Sequence, residues 1–246
     1  MPKTVVIIQA RVGSTRLPAK VMKQLCGKTV LAHVIERVKL ACEADGIVVA
    51  TTTSSGDDAI EQEALRCDVE VFRGSEQDVL SRYFGAAAEN TADIVVRITS
   101  DCPLIDPQVM DEIIAFYKQH DYDIVTNGGS DLSKRTYPRG LDTEVFSFAV
   151  LKEAYNNAQK QYQKEHVTPY LYEHGRVFHY MDSADNSRYR WTLDTEEDWK
   201  LIEALYDYLY HGKHDFRYQD ILAVMKARPE LFDINKEVEQ KKLGTE

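Results

Sequence analysis

Cysteine is scarce in this chain: 246 residues hold four, at positions 26, 42, 67 and 102. Their spacing contains no C-x-x-C pair and no zinc-finger interval, which excludes a dithiol redox centre and a cysteine-rich metal knuckle. They read as reduced, mostly buried small side chains. Long apolar runs are missing too, and none approaches the roughly 18 residues of a membrane-spanning helix. No cationic segment followed by a cleavable apolar stretch precedes the first strand pattern, so a secretory signal is not expected and the cytoplasm is the expected compartment. Positive charge is in deficit, with 30 Lys and Arg against 40 Asp and Glu and a net charge of −10. A general nucleic-acid binder is thereby excluded, because no surplus exists to neutralise a phosphate backbone. Internal repeats, low-complexity blocks and linkers are also lacking, and the expectation is one domain over residues 1–246.

The chain does contain a regular alternation of apolar strands and helical-period segments in its first half. Strands are expected at Thr4–Ala10, Gly46–Thr52, Val69–Phe72 and Asp93–Thr99. Between them Val30, Leu31, Val34, Ile35 and Val38 recur at helical spacing, as do Val79, Leu80, Tyr83, Phe84 and Ala87. A further helix starts at Pro107, a residue suited to a first turn. This is the pattern of an α/β fold with a mostly parallel central sheet and helices on both faces. The second half reads as a mixed addition. Strands are expected at Asp123–Asn127, Thr143–Phe148, Val177–Met181 and Tyr189–Leu193, and helices at Phe148–Asn157, Glu165–His174, Thr195–Tyr210 and Tyr218–Lys226. Gly128–Gly140 reads as a polar loop of the kind that rims a substrate, and the charged tail Glu237–Glu246 as a segment that frays.

The first strand runs into Ala10-Arg11-Val12-Gly13-Ser14-Thr15-Arg16-Leu17-Pro18-Ala19-Lys20. A triphosphate chain needs backbone N–H donors that can turn toward it and cations that neutralise its oxygens. Ala10, Gly13 and Ser14 lie where such donors are needed, with Arg11, Arg16 and Lys20 as the cations. The competing reading is an edge loop carrying solvated basic residues. Asp101 follows a strand, at the end of an open sheet where ligands bind, and is a natural magnesium ligand. It reads equally as a turn or helix-capping aspartate. Two motifs are rejected. Gly27-Lys28-Thr29 lacks the upstream glycine of a P-loop, position 22 being Met22. His211 and His214 have no carboxylate or cysteine partner at metal spacing and fall in an expected exposed turn.

The run A-R-x-G-S-x-R-L-P-x-K resembles the signature of cytidylyltransferases that make CMP-activated acidic sugars, the CMP-Kdo synthetases among them. Further stretches, Phe72–Tyr83, Arg97–Ile105, Arg139–Phe146 and Glu165–Tyr170, look most like the spore coat polysaccharide biosynthesis protein F branch. The resemblance covers roughly the first 210 residues.

It implies a Rossmann-like, GT-A-like nucleotidyltransferase fold with a nucleotide-binding half over about 1–127. An acceptor-binding and dimerisation half over about 128–210 and a helical tail complete it. It implies transfer of CMP from CTP to a sugar hydroxyl with release of pyrophosphate, Mg²⁺ as cofactor, and a homodimer formed through residues 143–190. It also implies that Asp194, in the segment Asp194-Thr195-Glu196-Glu197-Asp198, is the second metal carboxylate. The residues themselves read equally as a capping box at a helix start, with Glu196, Glu197 and Asp198 as capping or surface charges. Arg73, Ser75 and Asp78 fall in the region that meets cytosine in related enzymes, although Asp78 also suits a helix N-cap.

On the acceptor side the chain departs from the CMP-Kdo synthetases. It places Asp142 and Glu144 beside the expected sugar pocket, with Glu165 and His166 as further lining residues. An anionic sugar acid disfavours unpaired carboxylates. Either Arg135, Arg139, Arg188 or Arg190 compensates them, or the acceptor carries amino or hydroxyl groups that they grip. Two other classes stay open: a nucleotide-sugar glycosyltransferase of the same architecture, although the D-x-D motif usual there is absent at Asp101, and a nucleotide-binding protein without turnover.

Overall fold

The computed structural model describes residues 2–129 and 131–240. In the first half the elements are β1 (Thr4–Gln9), a short hairpin of β2 (Gln24–Leu25) and β3 (Lys28–Thr29), α1 (Val30–Val38), β4 (Gly46–Thr52), α2 (Asp58–Arg66), β5 (Glu70–Gly74), α3 (Val79–Glu89), β6 (Ile94–Thr99) and α4 (Pro107–Gln119). There follow β7 (Ile124–Thr126), β8 (Glu144–Ser147), α5 (Phe148–Asn157), α6 (Gln161–His166), α7 (Pro169–His174), β9 (Val177–His179), α8 (Glu196–Leu209), α9 (Tyr218–Ala227) and α10 (Glu230–Asp233).

One seven-stranded sheet has the order β5-β4-β1-β6-β8-β7-β9. The four strands of the first half are parallel, β8 runs antiparallel between β6 and β7, and β9 is parallel to β7. The two-residue period of a strand explains why β1 is apolar on both sides. Val6 and Ile8 pack with α1, α2, α4, α8 and α9, whereas Val5 and Ile7 face α3, α5 and α7. Burial of each such side chain contributes about 1.5–3 kcal/mol. With parallel strands all pointing one way, the loops after β1, β4 and β6 meet at one sheet edge, and the site is built there.

Several sequence expectations are corrected. Tyr189–Leu193 is no strand: it makes one bridge, Arg190 to Arg139, and its N–H groups instead tie together two loops of the site. The expected helix Glu165–His174 is two helices, broken where Val167 takes φ 71°. The Thr168 N–H bonds the His166 carbonyl at 2.8 Å, closing a γ-turn of the uncommon positive-φ kind. Gly27-Lys28-Thr29 belongs to the β2–β3 hairpin, whose turn residues Cys26 and Gly27 both have positive φ, as a type I′ turn requires. Only Cys102 among the cysteines is buried, and Cys26 and Cys42 are exposed. His214 is buried rather than in an exposed turn, and it lies against Glu36 and His33. Helix α2 was not expected, because only Ile60, Glu63 and Ala64 of its nine residues face inward. Of the charged tail, 241–246 lies outside the described residues. No helix among the described residues is long and apolar enough to cross a membrane.

Candidate active site

The loop after β1 is shaped by what it buries. Leu17 and Val21 are inserted into the core, and the Val12 carbonyl accepts the N–H groups of Ser14 at 2.7 Å and Ala19 at 3.3 Å, drawing the loop closed. The Val12 N–H donates to buried Asp57 at 2.8 Å. With the apolar residues inside, Arg16 and Lys20 face the sheet edge. Gly13 does not use a left-handed conformation, and a Cβ there would meet only Glu76, at 3.7 Å. The Ser14 N–H, expected to face phosphate, is spent on Val12.

Lys20 is the centre of the arrangement. Its ammonium lies 2.8 Å from Asp101 Oδ2 and 3.1 Å from Asp194 Oδ1, and its side chain is 12% exposed. Arg16 also pairs with Asp194. Arg11 stands farther out, half exposed and 3.9 Å from Glu76.

Neither of the two aspartates caps the helix that follows it. Helix α4 is capped by Asp106, which accepts from the N–H groups of Gln108 and Val109 at 3.0 Å each. Asp101 is thus free of capping. Helix α8 is capped by Thr195, with Asp198 completing the capping box, so Asp194 is free as well. Burial would raise the Asp101 carboxyl, but the charge and hydrogen bond of Lys20 outweigh it and hold it below the ordinary carboxylate value.

Asp101 and Asp194, 81 and 174 residues beyond Lys20 in the chain, are brought together by the 189–193 segment. The Leu193 N–H donates to the Asp101 carbonyl at 2.8 Å, and the Trp191 N–H to the Arg139 carbonyl at 2.7 Å. Gly140, at φ +100°, permits this approach: a Cβ there would sit 2.5 Å from the Trp191 backbone. Below Asp194 lies a buried network that sequence reasoning missed. Asp198 accepts from Arg190 Nε at 2.9 Å and Nη2 at 3.0 Å, from the N–H groups of Asp194 and Thr195 at 3.0 and 3.1 Å, and from Asn235 at 2.8 Å. The capping-box spacing was the available signal for Asp198, which is fully buried rather than a surface charge. Nothing in the spacing pointed to Asn235.

The residues of the 73–78 stretch serve the scaffold. Arg73 donates to the carbonyls of Thr52 and Ser54 and pairs with Asp58 and Glu61. Asp78 caps α3 through the Ser81 N–H at 2.8 Å, and the Ser75 hydroxyl accepts the Asp78 N–H at 3.1 Å.

Asp142 and Glu144, expected on the acceptor side, are both compensated, by different cations. Arg135 pairs with Asp142, which also accepts the Gly140 N–H at 2.9 Å. Burial raises the Asp142 carboxyl, but Arg135 pulls it below its usual value. Glu144 pairs with Arg97, its register partner across β6 and β8, and its other oxygen accepts from Thr168 and Tyr172. Arg97 was not foreseen, because strand register alone brings it to Glu144. Arg188 packs on Tyr189, and Arg190 serves Asp198. Arg139 is half-buried, with no side-chain ion pair among the described residues, and burial together with neighbouring Arg135 lowers its pKa. Glu165 and His166 end α6, just before the γ-turn that delivers Thr168 to Glu144.

A parallel sheet whose strand ends set a cationic loop against two carboxylates is the architecture of a nucleotidyltransferase. The chain matches the cytidylyltransferase family over residues 5–240, and it belongs to that family. It is similar to an uncharacterized protein of Methanocaldococcus jannaschii, 36% identical over 244 residues and covering 97% of each chain. Similarity also extends to the spore coat polysaccharide biosynthesis protein SpsF of Bacillus subtilis, 31% identical over 211 residues, covering 81% of this chain and 85% of the relative. Among solved structures, a cytidylyltransferase from Leptospira borgpetersenii superposes with a TM-score of 0.89 at 33% identity, over 98% of this chain and 100% of the other.

Proposed function

We propose that this cytidylyltransferase transfers CMP from CTP to a hydroxyl of an acidic or amino sugar, activating it for surface polysaccharide assembly. The observation that carries the reading is the ammonium of Lys20 held between Asp101 and Asp194 with Arg16 alongside. A pair of carboxylates already converging on one cation fits a magnesium ion, which takes one or two protein carboxylates and fills its remaining positions from water and phosphate. Asp101 and Asp194 would hold it. Magnesium, when bound, neutralises phosphate charge and lowers the pKa of the attacking hydroxyl.

In the reaction the sugar oxygen forms a bond to the α-phosphorus and the bond to pyrophosphate breaks. Arg11, Arg16 and Lys20 stabilise the charge on the transferring and leaving groups, each key donor contributing on the order of 3 kcal/mol. Arg139, half-buried and free of an ion pair among the described residues, suits an anionic group on the acceptor, and the partly open face of Asp142 suits a hydroxyl or amino group. Ser75, Asp78 and Arg73 fix the wall along which the base lies. The name of the SpsF relative supports the polysaccharide setting. A homodimer through 143–190 and a cytoplasmic site of action complete the proposal. A glycosyltransferase reading is less favoured, since three cations on one loop match a free triphosphate better than a nucleotide diphosphosugar.

The test is thermal melting with CTP, UTP, ATP or GTP, with and without Mg²⁺, followed by pyrophosphate release in the presence of sugar acids and amino sugars. CTP with Mg²⁺ is expected to raise Tm selectively, by the equivalent of about 2.7 kcal/mol at a hundredfold excess over Kd. In Asp101→Asn the rise shrinks and turnover falls by about 10²-fold or more. Equal shifts with all four nucleotides, or full turnover in Asp101→Asn, would overturn the reading.

A further inference from the structure

Away from the nucleotide edge, helix α1 carries His33 and Glu36 one turn apart, and the loop between α8 and α9 lays His214 against them. His33 Nδ1 is 3.1 Å from His214 Nε2, and His214 Nε2 is 3.2 Å from Glu36 Oε2. All three ligand atoms lie within 4.8 Å of one another. Ligands at about 2.0–2.1 Å from a tetrahedral zinc ion stand roughly 3.3 Å apart, so two of the three separations already match edges of such a tetrahedron.

The surroundings orient two of these atoms, on His33 and Glu36, as a metal site does, while His214 Nδ1 is buried without a hydrogen-bond partner among the described residues. His33 Nε2 lies 2.7 Å from the Leu25 carbonyl. That contact fixes its proton on Nε2 and leaves the Nδ1 lone pair directed at the cluster, the usual arrangement behind a metal-bound histidine. Glu36 Oε1 is held by Lys28 at 2.6 Å, which orients the carboxylate so that Oε2 faces His214. The Lys28 ammonium also lies 2.8 Å from Oε2, and its side chain is exposed enough to keep Oε1 alone. Tyr206 and Tyr210 wall the His33 ring edge-on, and Tyr210 lies tilted against His214. His33 and His214 are buried and Glu36 is partly exposed, so the cluster opens to solvent only on the carboxylate side.

The geometry points to a second metal site: His33, Glu36 and His214 bind a divalent ion of the zinc class, with water as fourth ligand, and clamp α1 to the α8–α9 loop. Two imidazoles and one carboxylate select Zn²⁺ or Co²⁺ over Mg²⁺, which prefers oxygen throughout. This site is independent of the nucleotide chemistry.

The experiment uses the full chain, treated with EDTA, desalted, and titrated with Co²⁺ in buffer containing excess Mg²⁺ to occupy oxygen-only sites. One equivalent is expected to give the intense visible bands of tetrahedral Co²⁺, to be displaced by Zn²⁺, and to raise Tm. Glu36→Gln, at the open side of the cluster, weakens binding by at least about tenfold, and His214→Asn abolishes the bands. The double variant Asp101→Asn, Asp194→Asn leaves them unchanged. Should His214→Asn fail to fold by circular dichroism, Glu36→Gln decides alone. Absence of the bands, or bands of unchanged affinity in Glu36→Gln, would overturn the site and leave a hydrogen-bonded core contact.

Discussion

At the scale of single residues, Asp142 shows how a carboxylate is made tolerable in a largely covered position. Asp142 is buried enough that its charge would be costly, and Arg135 together with the Gly140 N–H offsets that cost. The consequence is a defined pH dependence. The folded pKa of Asp142 lies below its ordinary 3.8, so its stabilisation is complete above that value and is lost as pH falls through the depressed folded value. Asp142→Asn is accordingly less stable than wild type at neutral pH, and the gap in Tm narrows as pH falls below 3.8. Melting curves of both proteins across that range check it, and a gap that stays constant would show that Asp142 makes no ionic contribution. Much at this scale was legible in sequence: Arg16, Lys20, Asp101 and Asp194 do converge. Arg97 as the partner of Glu144, and His214 as the neighbour of His33 and Glu36, were not legible, since strand register and tertiary packing create those pairs and no local spacing records them.

At the scale of elements, helix starts decide which carboxylates remain available. Asp106 and Thr195 do the capping, and each thereby frees an aspartate nearby. The strand periods and the helices α1, α3, α4, α5, α8 and α9 could be read because each alternates or repeats its apolar residues over enough positions to bury a face. The 189–193 segment misled because its alternation of Tyr189, Trp191 and Leu193 is that of a strand. Those side chains are indeed buried, but the backbone pairs with loops at Arg139 and Asp101. Its end is fixed by Asp198, whose two oxygens accept five hydrogen bonds, two from Arg190, two from the Asp194 and Thr195 N–H groups just before α8 and one from Asn235 after α10. Asp198→Asn puts an amide donor among donors and breaks a fully buried ion pair, at a cost of about 3 kcal/mol. Urea unfolding measures this, and a loss below about 1 kcal/mol would mean that the network relaxes around the change.

At the scale of the molecule, the question is whether the first and second halves of the chain form one folding unit. β8 is the element that answers it, because it pairs with β6 on one side and β7 on the other and extends one sheet across both halves. Without it β6 would be an apolar edge strand, with Ile94, Val95 and Val96 buried on the two faces but unpaired along the backbone. Core packing repeats the connection: one apolar cluster joins Val6 and Ile8 of β1 to Trp191 and Leu193 and on to α8 and α9. Both tryptophans, Trp191 and Trp199, lie in the second half, whereas helix and strand are spread over the whole described chain. Tryptophan fluorescence therefore reports the second half and far-ultraviolet circular dichroism reports both. A single cooperative unit requires that the two urea transitions coincide in midpoint and slope. A fluorescence transition that precedes the dichroism transition would instead show the second half unfolding from a first half stable by itself, and β8 would then be a seam between two domains.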